Sequence, residues 1–160
     1  MYIYGEKEAF GIRGAIDEEI ISKLTRVTQF DGIVKEVVCG WYFTMVLTTQ
    51  GKIYFSGKNT YNQLPSIAAT IDWTLDNVEF EGSYIETIGA GSDHVLFATN
   101  TGKIYSRGMI TYGQLGRSHS GNTFMPPTFD REDLDNFIFS KLGTSTYRVE
   151  FGINTFNTLR

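Results

Sequence analysis

The run Ile88-Gly89-Ala90-Gly91-Ser92-Asp93-His94-Val95-Leu96-Phe97-Ala98-Thr99-Asn100-Thr101-Gly102-Lys103-Ile104-Tyr105-Ser106-Arg107-Gly108-Met109-Ile110-Thr111-Tyr112-Gly113-Gln114-Leu115 is the second occurrence of one pattern. The first runs from Val37 to Leu64 without a gap, at an offset of 51 residues from Gly51 to Gly102. Between Gly51 and Leu64 the copies share Gly51/Gly102, Lys52/Lys103, Ile53/Ile104, Tyr54/Tyr105, Gly57/Gly108, Thr60/Thr111, Tyr61/Tyr112, Gln63/Gln114 and Leu64/Leu115. Self-similarity at a fixed period points to a repeat architecture in which each unit needs its neighbours to bury its faces.

Each copy reads as strand, turn, strand, turn. Thr44 to Thr49 has the apolar, β-branched character of a buried strand, and Gln50-Gly51 and Thr101-Gly102 put a glycine at the corner of a hairpin. Lys-Ile-Tyr begins the return strand. Gly57 and Gly108 end it, by a turn or by a backbone approach that a Cβ would block. Further strands are predicted upstream, over Arg26-Val27-Thr28-Gln29-Phe30-Asp31-Gly32 and Asn77-Val78-Glu79-Phe80-Glu81-Gly82. Four short strands per unit match a propeller blade.

The expected fold is therefore all-β: propeller blades of four-stranded antiparallel sheets, about three blades' worth, in a partial, open or oligomer-completed propeller. The expected units are the end of a repeat at 1–14, repeats at 25–65 and 76–116, and the start of a degenerate repeat at 137–160. Met1-Tyr2-Ile3-Tyr4-Gly5 followed by Phe10-Gly11-Ile12-Arg13-Gly14 resembles a second half, and Ile138 to Gly143 through Phe151-Gly152 a first half. Ser66 to Asp76 and Arg117 to Asp135 are read as variable surface connections. Ala15 to Leu24, with Ile16, Ile20, Ile21 and Leu24 spaced for one face, is predicted to be a short helix.

Composition agrees. The chain has 160 residues, 41% hydrophobic and 20% charged, and its 14% aromatics with 17 Gly and 3 Pro suit strands joined by tight turns. A formal charge of −4 argues against a general polyanion binder, because nonspecific nucleic-acid affinity comes mainly from phosphate neutralisation. Cys39 is the single cysteine, so no internal disulfide and no paired-cysteine metal knuckle is available; a cytoplasmic or nuclear compartment is expected. Met1 to Glu6 has neither a basic nor an apolar region of the kind a signal peptide needs, and no apolar stretch is long enough to span a bilayer.

The motifs Ile88-Gly89-Ala90-Gly91-Ser92-Asp93-His94, Gly102-Lys103-Ile104-Tyr105-Ser106-Arg107-Gly108 and Tyr112-Gly113-Gln114-Leu115-Gly116 resemble the repeats of the regulator of chromosome condensation family. The first copy departs from that pattern at Phe43, where the family usually has His, and at Asn62 and Pro65, where it usually has Gly. The resemblance covers residues 25 to 116 well and the ends weakly. It implies a β-propeller, usually closed as a ring by a much longer chain, and it implies protein partners, among them a Ran-type small GTPase.

Asp93-His94 and Cys39 invite a catalytic reading. Against it, Cys39 aligns with Ala90, a position for a small buried residue, and His94 falls at the family's repeat histidine, expected to satisfy backbone groups inside a blade. His94, His119 and Cys39 are scattered through different units, with no spacing that presets a metal site, and no glycine loop has the context of a phosphate cradle. No catalytic, metal or cofactor residue is therefore assigned.

Gly40, Gly51, Gly57, Gln63, Gly91, His94, Gly102, Gly108 and Gln114 are read as structural repeat residues. Trp41, Tyr42, Lys58, Trp73, Arg107, Arg117 and His119 stand outside the repeat pattern at expected loops or blade margins, where aromatics and arginine serve as interface anchors. The function expected is a non-catalytic protein–protein interaction scaffold. The alternatives are a guanine-nucleotide exchange factor for a Ran-like GTPase and a chromatin-associated regulator, the latter weakened by the acidic balance. A homo-oligomer or larger assembly that completes the sheet by strand pairing is a further expectation.

Overall fold

The corners predicted at Gly51 and Gly102 are hairpins in a computed structural model, which describes residues 1–6, 20–64, 70–76, 82–116, 139–144 and 149–153. Thr48 and Thr99 close them in the same way. Each backbone N–H donates to the carbonyl four residues on, at 2.9 Å, and each hydroxyl accepts from the amide of Lys52 or Lys103 at 3.1 and 3.2 Å.

Among the described residues eleven strands follow in order: β1 (Tyr2–Glu6), β2 (Ile20–Arg26), β3 (Val34–Cys39), β4 (Phe43–Thr48), β5 (Ile53–Gly57), β6 (Thr70–Asp76), β7 (Ile85–Ala90), β8 (His94–Thr99), β9 (Ile104–Gly108), β10 (Phe139–Thr144) and β11 (Val149–Ile153). They form four antiparallel sheets, ordered β1-β2, β3-β4-β5-β6, β7-β8-β9 and β10-β11. Among the described residues there is no helix. The architecture is all-β, three blades' worth of propeller sheet.

The pairing register carries the repeat further than the residues do. β3–β4 breaks step between Val34 and Glu36, and β7–β8 breaks step 51 residues later, between Ile85 and Thr87. β10–β11 has the same irregularity between Phe139 and Lys141, followed by the same run of pairs. In the other half of the unit, β5–β6 shifts between Phe55 and Gly57, and β1–β2 between Ile3 and Gly5. The pair β1–β2 thus shares its irregularity with β5–β6, and β10–β11 shares its own with β3–β4.

Gly57 and Gly108 end their strands because no other residue fits. Their φ angles are 112° and 123°, and Gly5 matches them at 121°. A Cβ on Gly57 would overlap the carbonyl oxygen of Tyr42 and come within 2.6 Å of Phe43 Cα; on Gly108 it would overlap the carbonyl oxygen of Asp93 and come within 2.7 Å of His94 Cα.

β4 is buried along its whole length because both of its faces are covered. Phe43, Met45 and Leu47 pack with Ile85, Ile88, Val95 and Phe97 of the following sheet, whereas Val46 packs with Ile3, Ile21, Val27 and Phe30 on the preceding side. Each such side chain stabilises the fold by about 1.5–3 kcal/mol. β10 lies against β7 and β8, at the other end of the arc.

Three expectations are corrected. Residues 27–33 are turns and not a strand, held by Asp31 N–H to Thr28 O and Ile33 N–H to Phe30 O at 3.0 and 3.2 Å. The fourth strand of the first sheet comes instead from the stretch read as a connection, as β6. Residues 20–24 belong to β2 and not to a helix: pairing with β1 satisfies their backbone, and Leu24, which the helix would have buried, is exposed. Residues 15–19 and 77–81 lie outside the described residues.

Candidate functional site

The loop between β3 and β4 and the loop after β5 meet at one end of the first blade. Lys58 N–H donates to Tyr42 O at 2.7 Å, and Trp41 N–H reaches across to Ser92 O of the next sheet at 2.9 Å. With its backbone tied at both loops, Trp41 lays its indole on the Tyr42 ring, centroids 5.8 Å apart and planes 13° from parallel. Lys58 Nζ sits 4.3 Å from the Tyr42 centroid, within cation–π range. Trp41 remains 68% exposed.

The repeat residues hold this cluster in place. Buried Gln63 donates its amide to Lys58 O at 2.9 Å and accepts from Tyr61 N–H at 3.0 Å, so its carboxamide pins the backbone that presents Lys58. Asn59 Oδ1 accepts from Leu64 N–H at 2.8 Å. In the second repeat Gln114 accepts from Tyr112 N–H at 2.8 Å, and Ser106 Oγ donates to Leu115 O at 2.8 Å.

Of the seven interface residues expected from the sequence, the fold brings Trp41, Tyr42 and Lys58 together. Trp73 lies in β6, at the outer edge of its sheet. Arg107 is 4% exposed and paired opposite Val95 within β9, so it stands inside the blade and not at a margin; the apolar stem of an arginine allows such burial. Arg117 and His119 lie outside the described residues.

His94 is fully buried, and neither ring nitrogen has a hydrogen-bond partner among the described residues, which corrects the expectation that it satisfies backbone groups. Phe43 fills the same place in the first repeat, also fully buried. The position needs a ring of that size. Burial lowers the His94 pKa below its ordinary 6.5, with the charge of Asp93 pulling the other way, so the imidazole is held neutral. The Asp93 carboxylate accepts from Ser92 Oγ.

Cys39 is also corrected. It is exposed, because alternate residues of β3 point outward and Lys35, Val37 and Cys39 form that row. Thr44 Oγ1 lies 3.8 Å from its sulfur. No group of three or more metal-ligating side chains occurs among the described residues.

Sequence reasoning missed the bonds between blades. The Glu36 carboxylate accepts from Thr87 Oγ1 at 2.9 Å and from Ile88 N–H at 2.9 Å, and Lys35 Nζ lies 2.8 Å from Glu86 Oε1. The signal was available: equivalent positions of adjacent blades are neighbours, so residues 51 apart with complementary chemistry should touch. The Lys35–Glu86 pair crosses an open groove of about 530 Å³, lined also by Thr49, Gln50, Gly51, Tyr84 and Ile85, at the end of the strands opposite Trp41.

The family model described as Regulator of chromosome condensation (RCC1) repeat matches residues 34–63. The mitochondrial RCC1 domain-containing protein RUG3 of Arabidopsis thaliana is 29% identical over 153 residues, which cover 91% of this chain and 34% of that protein. The secretion-regulating guanine nucleotide exchange factor of Bos taurus is 33% identical over 84 residues, 51% of this chain and 18% of the relative. Among solved structures, yeast RCC1 (Prp20), crystallised with Kap60, superposes with a TM-score of 0.72 at 18% identity over 98% of this chain and 38% of its own. The chain spans about a third or less of the length of these curated relatives.

Proposed function

We propose that this chain, whose residues 34–63 match the regulator of chromosome condensation repeat, is a non-catalytic protein–protein interaction scaffold that presents Trp41, Tyr42 and Lys58 to its partner. One observation carries this reading. The second repeat has Ser92, Asp93 and Met109 where the first has Trp41, Tyr42 and Lys58, so an exposed aromatic and cationic cluster has been placed on one blade of an otherwise shared frame. Rigid, exposed aromatics beside a cation are the side chains from which interface hot spots are drawn.

The test is affinity purification from cells of the source organism with the wild-type chain, Trp41→Ala and Tyr112→Ala as baits. A partner lost with Trp41→Ala and kept with Tyr112→Ala is expected, with roughly 30-fold weaker binding for a hot spot of about 2 kcal/mol. An identical partner set for all three baits would overturn the reading. No helix of the described residues is long and apolar enough to cross a membrane. Cytoplasmic or nuclear residence accompanies the proposal, and fractionation of those cells checks it, since one relative carries a mitochondrial name.

A second reading is nucleotide exchange on a Ran-like GTPase, favoured by the exchange-factor name of one relative. Such a protein works by binding its partner's nucleotide-free state more tightly, which needs a fitted surface and no acid or base. A release assay with a labelled nucleotide on a Ran-type GTPase separates the two. Unchanged release leaves the scaffold; accelerated release makes the Trp41 face an exchange surface. Either reading includes an assembly that completes the propeller sheet, with a second copy or a larger partner.

A further inference from the structure

The groove crossed by Lys35 and Glu86 is lined from the first two repeats alone, at the end of the strands opposite Trp41. Its volume of about 530 Å³ falls in the range of small-ligand sites. Of its lining, Ile85 is buried, whereas Thr49, Gln50 and Tyr84 are exposed.

Tyr84 departs from the repeat. In the equivalent place Ile33 is partly buried against Val27, Phe30 and Val46, but Tyr84 is 54% exposed. Asn100, which stands where the first repeat has Thr49, fixes it there. Its backbone N–H donates to Tyr84 O and its Oδ1 accepts from Tyr84 N–H, both at 3.0 Å. A Cβ on Gly51 would come within 3.2 Å of Tyr84 Cβ, so the glycine leaves room for the tyrosine beside the hairpin. An aromatic ring held at its backbone and open to solvent is a platform with an apolar face and a polar tip.

The groups around that ring select the ligand. Lys35 Nζ and Glu86 Oε1 are 2.8 Å apart, so the groove carries one charge of each sign and favours neither an anion nor a cation. An apolar segment would strip water from both charges and give them nothing in return. The hairpin backbone is already engaged: Thr49 N–H donates to Ile33 O at 2.8 Å, Gly51 N–H to Thr48 O at 2.9 Å and Lys52 N–H to Thr48 Oγ1 at 3.1 Å. The corner therefore offers few amides to an added peptide strand. Side chains carry the remaining capacity. The ammonium has three donors and the carboxylate about four lone-pair sites, and the Thr49 hydroxyl and Gln50 carboxamide add groups of both kinds. Donors and acceptors side by side, next to an aromatic face, suit a ligand whose hydroxyls do both and whose C–H face is apolar.

We propose that this groove binds a neutral saccharide, with one pyranose ring against Tyr84 and neighbouring hydroxyls on Lys35, Glu86 and Gln50. The site goes beyond the scaffold reading and uses none of the residues of the Trp41 face.

The test is saturation-transfer NMR on the 160-residue chain with maltotriose, cellotriose, mannotriose and triacetylchitotriose, each titrated to millimolar concentration, beside a heparin fragment and an uncharged peptide. At least one neutral trisaccharide is expected to bind, with an affinity unmoved by added salt because no net charge is neutralised. Tyr84→Ala should weaken it about tenfold, and Tyr84→Trp, which keeps a platform, should hold it. Glu86→Gln should weaken it severalfold, whereas Tyr112→Ala, which removes an exposed tyrosine elsewhere in the second repeat, should leave it unchanged. Transfer to none of the neutral trisaccharides overturns the proposal. So does binding of the heparin fragment or the peptide alone, or a neutral trisaccharide that Tyr84→Ala binds as well as the wild type.

Discussion

The first and second blades share a frame and differ in what hangs from it. The hairpin threonines, the strand-ending glycines and the loop glutamines do the same work in both, at an offset of 51 residues. Where Trp41, Tyr42 and Lys58 form an exposed cluster, the second blade has a serine hydroxyl bonded to Asp93 and a half-buried methionine. Backbone geometry is what the repeat preserves; loop chemistry is what it leaves free for recognition.

The frame should break identically in both blades. Gly57→Val and Gly108→Val force a side chain against a carbonyl oxygen and a Cα at a φ that L residues rarely adopt. Strain and overpacking together are expected to cost roughly 2–4 kcal/mol in each case. Urea unfolding at fixed protein concentration measures it. A difference of more than about 1 kcal/mol between the two would show that the blades are not mechanically equivalent.

This equivalence was legible in the sequence because glycine at a fixed place in a repeat reports backbone approach directly. Trp41, Tyr42 and Lys58 stood out one by one, since they depart from the repeat and flank its loops, but their stacking on one another depends on the pairing of β4 with β5. Arg107 was misread because a charged residue near a strand end looks exposed until its cross-strand partner, Val95, is known. β2 and β6 were misread for a related reason. Their pairing partners are set by register with β1 and β5, and a local period cannot show a long-range pairing.

The joint between blades is the next comparison to break. Glu36→Gln keeps the shape but removes the charge that receives Thr87 Oγ1 and Ile88 N–H; hydrogen bonds to charged groups contribute about 1.5–3 kcal/mol, and a loss toward the lower end is expected. Thr87→Val, which leaves the carboxylate one bond short, should be less than additive with it in a double-mutant cycle. Full additivity would mean that the two residues do not act together.

Phe43 and His94 are one position with two chemistries. His94→Phe removes two buried, unpartnered nitrogens and is expected to stabilise the chain by about 1–2 kcal/mol. The sign of its pH dependence follows from the depressed pKa. As pH falls through 6.5 the unfolded chain takes up a proton that the folded His94 refuses, so stability declines from there down to the folded pKa. Denaturant midpoints above and below 6.5 should show that component in the wild type and not in His94→Phe. Equal slopes would place the effect elsewhere.

The smallest effect belongs to Lys35 and Glu86, equivalent in position to Glu36 and Thr87 but one step outward along the blades. Both are partly exposed, with side-chain accessibilities of 33% and 44%, so water and salt screen the pair as they cannot screen Glu36. Lys35→Ala is therefore expected to cost about 0.2–1 kcal/mol, shrinking as salt is raised. Exchanging the charges, Lys35→Glu with Glu86→Lys, should restore most of what either single reversal loses, because the groove between the blades offers both positions the same solvent. If the exchanged pair recovers nothing, the 2.8 Å contact is set by the backbone of the two hairpins and the charges are passengers on it.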